Sequence, residues 1–474
     1  MKRVTLVWLT ATALPLVLGG CAIGPNYHRP DAPVEQHYTA AEGWTPASPA
    51  DQLRKGAWWQ VYNDPALDAL EPKVAIDNQN VAEAEAVVRE MQATVAEQRA
   101  ALWPTLGISF GASRSGGSGT TSSGTSSVTG NRFSAGLDAA WSLDIWGKVR
   151  REIEQAKANS EAAKADLANA TLTAQAALAT AYFELRATEE DQRLLTDTVN
   201  NDTKALTLTQ NQYKVGVAQR SDVLQAQSQL ATVQASLADL TLTRGQYLHA
   251  IAVLIGTTPD QVEVPAGPLA TVAPVAPTGL PSELLQRRPD IASGERAVAA
   301  ANAGVGIAET AFFPTLDLSA SDTASASTLS KLFAAHNATW SVGADVADTL
   351  IEFGARSAAV KGARATYDAA VAKYRETVLE AFQGTEDNLL ALRALESEQG
   401  LREQAEQEAR QAEQIVTNQY KAGTVAYASV ITAQNATLSA MTATLSVRES
   451  RLVNSVALIE DLGGGWDAGD LKAK

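Results

Sequence analysis

Apolar and polar positions change period several times along this chain, and the changes mark out its elements. From Thr105 the apolar residues Leu106, Ile108 and Phe110 alternate with Gly107, Ser109 and Gly111. That period of two predicts a strand with one apolar face. A Ser, Gly and Thr stretch over about 115–130 predicts a loop, after which alternation resumes at Phe133, Ala135, Leu137, Ala139, Trp141 and Leu143. A weaker second pair follows the same scheme, with Leu316, Leu318 and Ala320, then Trp340, Val342, Ala344 and Val346.

Between these hairpins the period is helical. Asn63-Asp64-Pro65 predicts a turn and cap before a helix carrying Leu67 and Leu70. A second helix is predicted from Asn80 to Trp103, with Val81, Val87, Val88, Val95 and Leu102 on its apolar side and Pro104 ending it. Gly147 to Tyr213 contains 67 residues without a proline. Uninterrupted, it would extend roughly 100 Å at 1.5 Å per residue. After Gly216 a return helix repeats Val223, Leu230 and Leu237, with Ala226, Val233, Leu240 and Tyr247 three positions on. This is a coiled-coil seam. The later stretch from Gly354 to Tyr420 turns at Gly423 and returns with Ile431, Leu438, Leu445, Leu452 and Ile459 at sevens.

The chain is therefore built twice. Asn211-Gln212-Tyr213-Lys214 with Gly216 recurs 207 residues later as Asn418-Gln419-Tyr420-Lys421 with Gly423, and Leu185-Arg186-Ala187 recurs as Leu392-Arg393-Ala394 at the same offset. Pro104-Thr105-Leu106 returns as Pro314-Thr315-Leu316, 210 residues on. Each copy holds a strand pair followed by very long helices.

Four one-faced strands cannot close a barrel. In lipid the open edges would leave backbone groups unsatisfied at several kcal/mol each, so a membrane reading forces the chain to share its barrel with identical copies. Two copies give eight strands and a filled interior; three give twelve and a pore. Trp141 and Trp146 near the strand end suit an interfacial girdle. A soluble amphipathic hairpin carries the same alternation.

The first residues read Lys2 and Arg3, an apolar run from Val4 to Leu18, then Gly19-Gly20-Cys21. That pattern predicts a secretory signal over residues 1–20, too short to span a bilayer as a mature helix. Cys21 is the one cysteine, so no intramolecular disulfide forms. The stretch resembles a lipobox, which implies acyl chains on Cys21 as a durable anchor. The segment after it is rich in proline and aromatics, including Gly24-Pro25-Asn26-Tyr27, Pro30 and Trp58-Trp59, and predicts an extended lead.

Formal charge is −15, and loss of Lys2 and Arg3 with the signal would take it to −17. Nucleic acid is not the expected partner of such a surface. Solubility and a cation-favouring interior both account for the excess. The four histidines, His28, His37, His249 and His336, lie in separate regions without carboxylate or cysteine neighbours at ligand spacing, so no metal site is expected. No Gly-x-Ser-x-Gly elbow or P-loop is present, and Gly304-Val305-Gly306 lacks the third glycine of a dinucleotide turn. These readings predict a protein that is not an enzyme, with no cofactor beyond a covalent lipid on Cys21.

Several motifs stand in order along the chain: Cys21 with Gly24-Pro25-Asn26-Tyr27, Trp58-Trp59 with Asp64-Pro65 and Leu67, Pro104, Trp146-Gly147, Arg287-Arg288-Pro289-Asp290-Ile291, Ala311-Phe312-Phe313-Pro314, and the paired Tyr and Gly turns. Taken together they resemble the outer-membrane factor family, the TolC-like channels, and within it the OprM and NodT type of efflux lipoprotein. The resemblance covers essentially the whole chain.

It implies a mainly α protein with membrane β-structure: a homotrimer whose twelve-stranded barrel, four strands per chain, continues as a coiled-coil helical barrel in the periplasm. The expected divisions are 1–20 signal, 21–103 lipid-anchored segment and first equatorial helices, and 104–146 first hairpin. They continue as 147–258 first helix pair, 259–313 equatorial linker and helix, 314–350 second hairpin, 351–462 second helix pair and 463–474 tail. The implied partners are a periplasmic membrane-fusion adaptor, an inner-membrane RND pump and outer-membrane lipid. Ala22, not Asp, follows the lipid-bearing cysteine, which favours the outer membrane.

By the same resemblance, Val215, Gly216 and Val217 and Ala422, Gly423 and Thr424 form the tip that the adaptor grips, and Tyr213, Asp222 and Tyr420 form the periplasmic gate. Glycine suits a helix-ending turn with exposed backbone. Three copies of Asp222 would make an anionic ring; alternatively Asp222 caps the return helix together with Ser221. Val425, Ser429 and Thr432 stand where TolC carries a gating arginine and carboxylates, a departure that bears on gate strength. The implied function is passive export through a tripartite RND-type efflux system, of drugs, toxic organics or metal ions. A type I protein-secretion outlet and a lipid-anchored coiled-coil spacer without a pore are the alternatives.

Overall fold

The computed structural model describes residues 22–33, 57–121, 124–270 and 288–464. Cys21 and the signal expected over 1–20 lie outside the described residues, as does the segment 271–287 with Arg287. The chain divides into two compact units: Met1–His28, Ala93–Lys157 and Ala299–Asp368 make the first, and Arg29–Gln92, Ala158–Val298 and Ala369–Lys474 the second.

The first unit is organised by a four-stranded antiparallel sheet of β1 (Thr105–Thr121), β2 (Gly124–Ser142), β3 (Thr315–Ala326) and β4 (Ala338–Ala347), in that order. Strands from both copies of the repeat thus share one ladder. The register sets Leu106 opposite Ala139, Ile108 opposite Leu137, and Phe110 opposite Ala135. It continues with Trp141 opposite Leu318 and Val342 opposite Ala320. Paired residues share a face, so the apolar alternations of all four strands fall on one side. That side is uncovered: Leu106, Ile108, Phe110, Trp340, Val342 and Val346 are all more than 65% exposed. One carboxylate interrupts it, because Asp322 pairs with Leu137 on one flank and Trp340 on the other. The opposite face is polar, with Ser321 and Ser341 hydroxyls 2.9 Å apart.

The loop expected over 115–130 is mostly strand. Pairing continues from Arg114 opposite Asn131 to Thr121 opposite Gly124. The ladder is made by backbone groups, and Ser, Gly and Thr carry no apolar alternation that would announce it.

The strand ends are stapled across the repeat. Trp146 donates from Nε1 to the Pro314 carbonyl at 2.7 Å and stacks on Phe313 at 4.9 Å. Trp141 donates to the Leu102 carbonyl at 3.0 Å. Gly147, at φ +84°, lets the chain turn against Ala22, where a Cβ would come within 2.9 Å of the Ala22 side chain.

In the second unit, α1 (Pro65–Asp77) begins on Asp64, whose Oδ1 accepts from the N–H groups of Ala66 at 2.9 Å and Leu67 at 3.3 Å. Oδ2 accepts from the Tyr182 hydroxyl at 2.6 Å, tying this cap to α3 (Lys148–Lys214). Trp58–Tyr62 is a 3-10 turn, not part of an extended lead: Trp58 and Trp59 are buried, and Tyr62 bonds Ser455 at 2.8 Å. Burial of large rings selects the turn over the extended form that prolines alone suggest. In α2 (Gln79–Ala100), Val81 and Val88 are buried but Val87 is exposed, so the apolar stripe is narrower than expected.

The return helix α4 (Arg220–Leu254) buries Ala226 and Val233 of the expected seam, while α7 (Tyr427–Asp461) buries Leu445, Leu452 and Ile459. Between them run α5 (Pro289–Thr310) and α6 (Ala355–Lys421). Threonines are frequent in these helices, and Thr188, Thr198, Thr209 and Thr385 donate to the carbonyl four residues back. Their hydroxyls are thereby satisfied within a helix face. Asp461 gathers Arg288 Nη1 at 2.8 Å and Asn388 Nδ2 at 2.7 Å onto the end of α7. Beyond it Gly463 and Gly464, at φ +85° and +56°, end the helix. No helix among the described residues is long and apolar enough to cross a membrane.

Candidate functional site

The two helix tips use one backbone design. After α3 the Gly216 N–H donates to Tyr213 O at 3.0 Å and the Val217 N–H to Gln212 O at 2.8 Å. After α6 the Gly423 N–H donates to Tyr420 O at 2.9 Å and the Thr424 N–H to Gln419 O at 3.0 Å. These are Schellman turns, which need a left-handed residue at the glycine, and φ is +79° at Gly216 and +75° at Gly423. A Cβ at either glycine would meet open space. The tips are therefore projecting turns. Val215 and Val217 are about three-quarters exposed at 74% and 76%, and Ala422, Gly423 and Thr424 are exposed too.

The expected gate residues occupy unlike surroundings. Tyr420 donates its hydroxyl to Gln212 Oε1 at 2.7 Å and packs on the Tyr427 ring, with centroids 5.3 Å apart. Tyr427, Ala226 and Val430 are buried there, with Ala205, Leu206, Val416 and Ile431 around them. Tyr213, its repeat counterpart, is 46% exposed. Asp222 accepts from the Gln219 N–H at 3.1 Å, the arm of a capping box that closes the start of α4. Its charge is half-exposed and serves that cap, while Ser221 bonds Gln219 Oε1 at 3.3 Å. Val425 is half-buried, Ser429 exposed, and Thr432 donates back to Ala428 O at 3.0 Å.

Three residues near the tips escaped the sequence reading. Gln212 stood inside the repeated Asn-Gln-Tyr-Lys motif, and the repetition was its signal. Tyr427 and Asp202 had none, because a long helix shows no local sign of which polar residue faces inward. Asp202 is 2% exposed, and its Oδ2 is buried without a hydrogen-bond partner among the described residues. Burial, then the nearby Glu413 carboxylate, raises its carboxyl to about 6. Burial, then Asp202 and Tyr420, raises the Tyr427 hydroxyl to about 12. Among the described residues no group of three or more His, Cys, Asp or Glu side chains is placed to hold a metal ion.

Comparison with known proteins decides the family. The outer membrane efflux protein family matches residues 72–257 and again 280–464, the two halves of the repeat. The chain belongs to the outer membrane efflux protein family. It is 31% identical over 464 residues to the pyoverdine export outer membrane protein OpmQ of Pseudomonas aeruginosa, covering 96% of each chain. It is 30% identical over 474 residues to the toluene efflux pump outer membrane protein TtgC of Pseudomonas putida, covering 98% of this chain and 96% of that one. Among solved structures, the outer-membrane channel OprN superposes with a TM-score of 0.85 at 29% identity, covering 94% of this chain and all of that one. This protein is thus an outer-membrane efflux channel component, and its family consists of channel proteins.

Proposed function

We propose that three copies of this chain close a twelve-stranded barrel in the outer membrane and that the assembly is a passive duct for an RND-type efflux pump. The carrying observation is the sheet: among the described residues, four strands with every apolar alternation on one uncovered face, and β1 and β4 as its outer strands without a further partner. An apolar face of that kind suits lipid, and open edges in lipid demand further strands. Three copies supply twelve, and a barrel of that size leaves a lumen.

In this reading Cys21 carries the lipid anchor, and the exposed turns Val215–Val217 and Ala422–Thr424 receive the hairpin of a periplasmic adaptor. Tyr420, bonded to Gln212, holds the aperture, with Tyr213 and Asp222 on its rim. The duct has no catalytic step of its own; the pump and adaptor choose what enters. OpmQ and TtgC are named for pyoverdine and toluene export, which supports low-molecular-weight organic cargo here.

Deletion and complementation in the native host test this directly. Accumulation of drugs or solvents in the deletion strain, with protein secretion intact, supports an efflux duct. Lost protein secretion with normal drug export rejects it in favour of a secretion outlet.

A further inference from the structure

One cavity of the sheet-bearing unit has no role in a passive duct. It is an open groove of about 600 Å³, within the size range of small-molecule sites, and Asn26, His28, Asn302, Glu309, Arg364 and Tyr367 line it. Arg364 Nη2 and Glu309 Oε1 form an ion pair at 2.9 Å, with side chains 64% and 25% exposed. A cation and an anion thus stand side by side at the mouth, and His28 adds an exposed donor.

The flanking segments of the same chain set the depth of this site. Glu309 lies in the last turn of α5, and the connection from there to β3 exposes Phe312 and Phe313 at 49% and 37%. Arg364 lies in α6 shortly after the β4–α6 connection, which exposes Leu350, Ile351 and Phe353 at 92%, 72% and 100%. Apolar and aromatic residues fringing strand ends, with opposite charges just beyond them, match the profile of a membrane–water interface.

The cavity wall is also built, not incidental. The segment after Cys21 is clamped by Arg151, 3% exposed on its whole residue, which donates to Ile23 O at 3.0 Å, Gly24 O at 3.0 Å and Asn26 Oδ1 at 3.3 Å. Asn302 donates to Pro25 O at 3.0 Å. Gly24, at φ +99°, lies so close to Gly306 that a Cβ would come within 2.4 Å of its Cα. Gly24, Pro25 and Asn26 are thereby held as one side of the groove, with His28 further along the chain.

We propose that this cavity binds the headgroup of an amine-bearing glycerophospholipid of the periplasmic leaflet, phosphate toward Arg364 and His28 and ammonium toward Glu309. The inference rests on the reading that the sheet spans the outer membrane. A zwitterionic headgroup matches both displayed charges, whereas free phosphate answers only Arg364 and His28. Occupancy would fix a lipid beside Gly24 and Pro25.

Native mass spectrometry of the full-length, detergent-purified protein tests the site, with phosphatidylethanolamine, phosphatidylglycerol or phosphatidylcholine added in turn. The wild type should retain phosphatidylethanolamine preferentially. Arg364→Ala should lower that retention roughly ten-fold, the scale of one charge-assisted hydrogen-bonded contact. Glu309→Gln should keep phospholipid but lose the distinction between phosphatidylethanolamine and phosphatidylglycerol. Should the alanine variant melt early, Arg364→Gln keeps a polar side chain without the charge and is read instead. Equal retention of all three lipids by the wild type, or unchanged preference in the variants, overturns the proposal. So does saturation by inorganic phosphate that added phosphatidylethanolamine fails to displace. Bilayer conductance of the same sample separates the two levels: open channels without lipid preference remove only this site, while failure to insert removes the duct itself.

Discussion

Tyr420 reaches from the last turn of α6 to Gln212 in the last turn of α3, with hydroxyl and amide oxygen 2.7 Å apart. The two tips of one chain are joined by this contact, whereas Tyr213, in the corresponding place of the first copy, is half-exposed. Tyr420→Phe should remove about 1 kcal/mol of closure and raise entry of a large hydrophilic dye into cells carrying the channel. Tyr213→Phe should change entry little. Equal effects from the two variants would deny Tyr420 its particular role.

The tip glycines separate docking from assembly. Gly216→Val and Gly423→Val place a β-branched residue at positive φ, at a cost of about 1–2 kcal/mol each, although the space around both is open. The turns should distort while the oligomer persists. Pull-down of the adaptor should fall, with oligomer recovery unchanged and Asn substitutions milder. Undiminished adaptor capture by both valine variants would move the docking surface elsewhere.

Asp202 gives the helices a defined pH response. Burial first and Glu413 second raise its carboxyl from the ordinary 3.8 to about 6. A pKa raised on folding means that the folded state holds the proton more tightly. The stabilisation is complete below about pH 4 and is lost as pH rises through 6. Tyr427, on the facing helix, adds no positive charge to offset the ionised form. Asp202→Asn should therefore melt higher than wild type at pH 7.5 and match it near pH 4. A difference independent of pH would show that Asp202 is not the titrating group.

Asp322 reports what covers the sheet. It sits among Leu137, Trp340, Ala320 and Ala324 on the apolar face. Against lipid a carboxylate there is costly, and Asp322→Val should stabilise the protein in vesicles by about 1–2 kcal/mol, less than the cost measured for basic residues at mid-bilayer. Against water the same change is worth no more than about 0.5 kcal/mol. Urea unfolding in phospholipid vesicles distinguishes the two.

Much of this fold was legible because its signals are periodic. Leu106, Ile108 and Phe110 announced β1, and the proline-free run through Tyr213 announced α3, because period two and long helical stretches survive in sequence without knowledge of partners. The duplication gave the tips, since Gly216 and Gly423 recur with their tyrosines. The outer ends of β1 and β2 were not legible, because glycine and serine pair through backbone alone. Nor was the turn at Trp58, which is fixed by burial of its ring. At the tips the backbone was foreseeable but the side-chain pairing was not. Repeats give Tyr213 and Tyr420 the same local sequence, yet only contacts made far along the chain decide that Tyr420 meets Gln212 and Tyr427. Asp222 illustrates the same limit: its position six residues after Gly216 fits either an aperture ring or a cap, and the bond to the Gln219 N–H is visible only in three dimensions.

The number of chains per particle bears most directly on the barrel, because four strands with two free edges must find eight more. Native mass of the full-length protein, extracted gently from outer membranes, should correspond to three copies. A particle of one or two chains, stable in detergent and retaining its β-structure, would contradict closure by three copies and with it the duct.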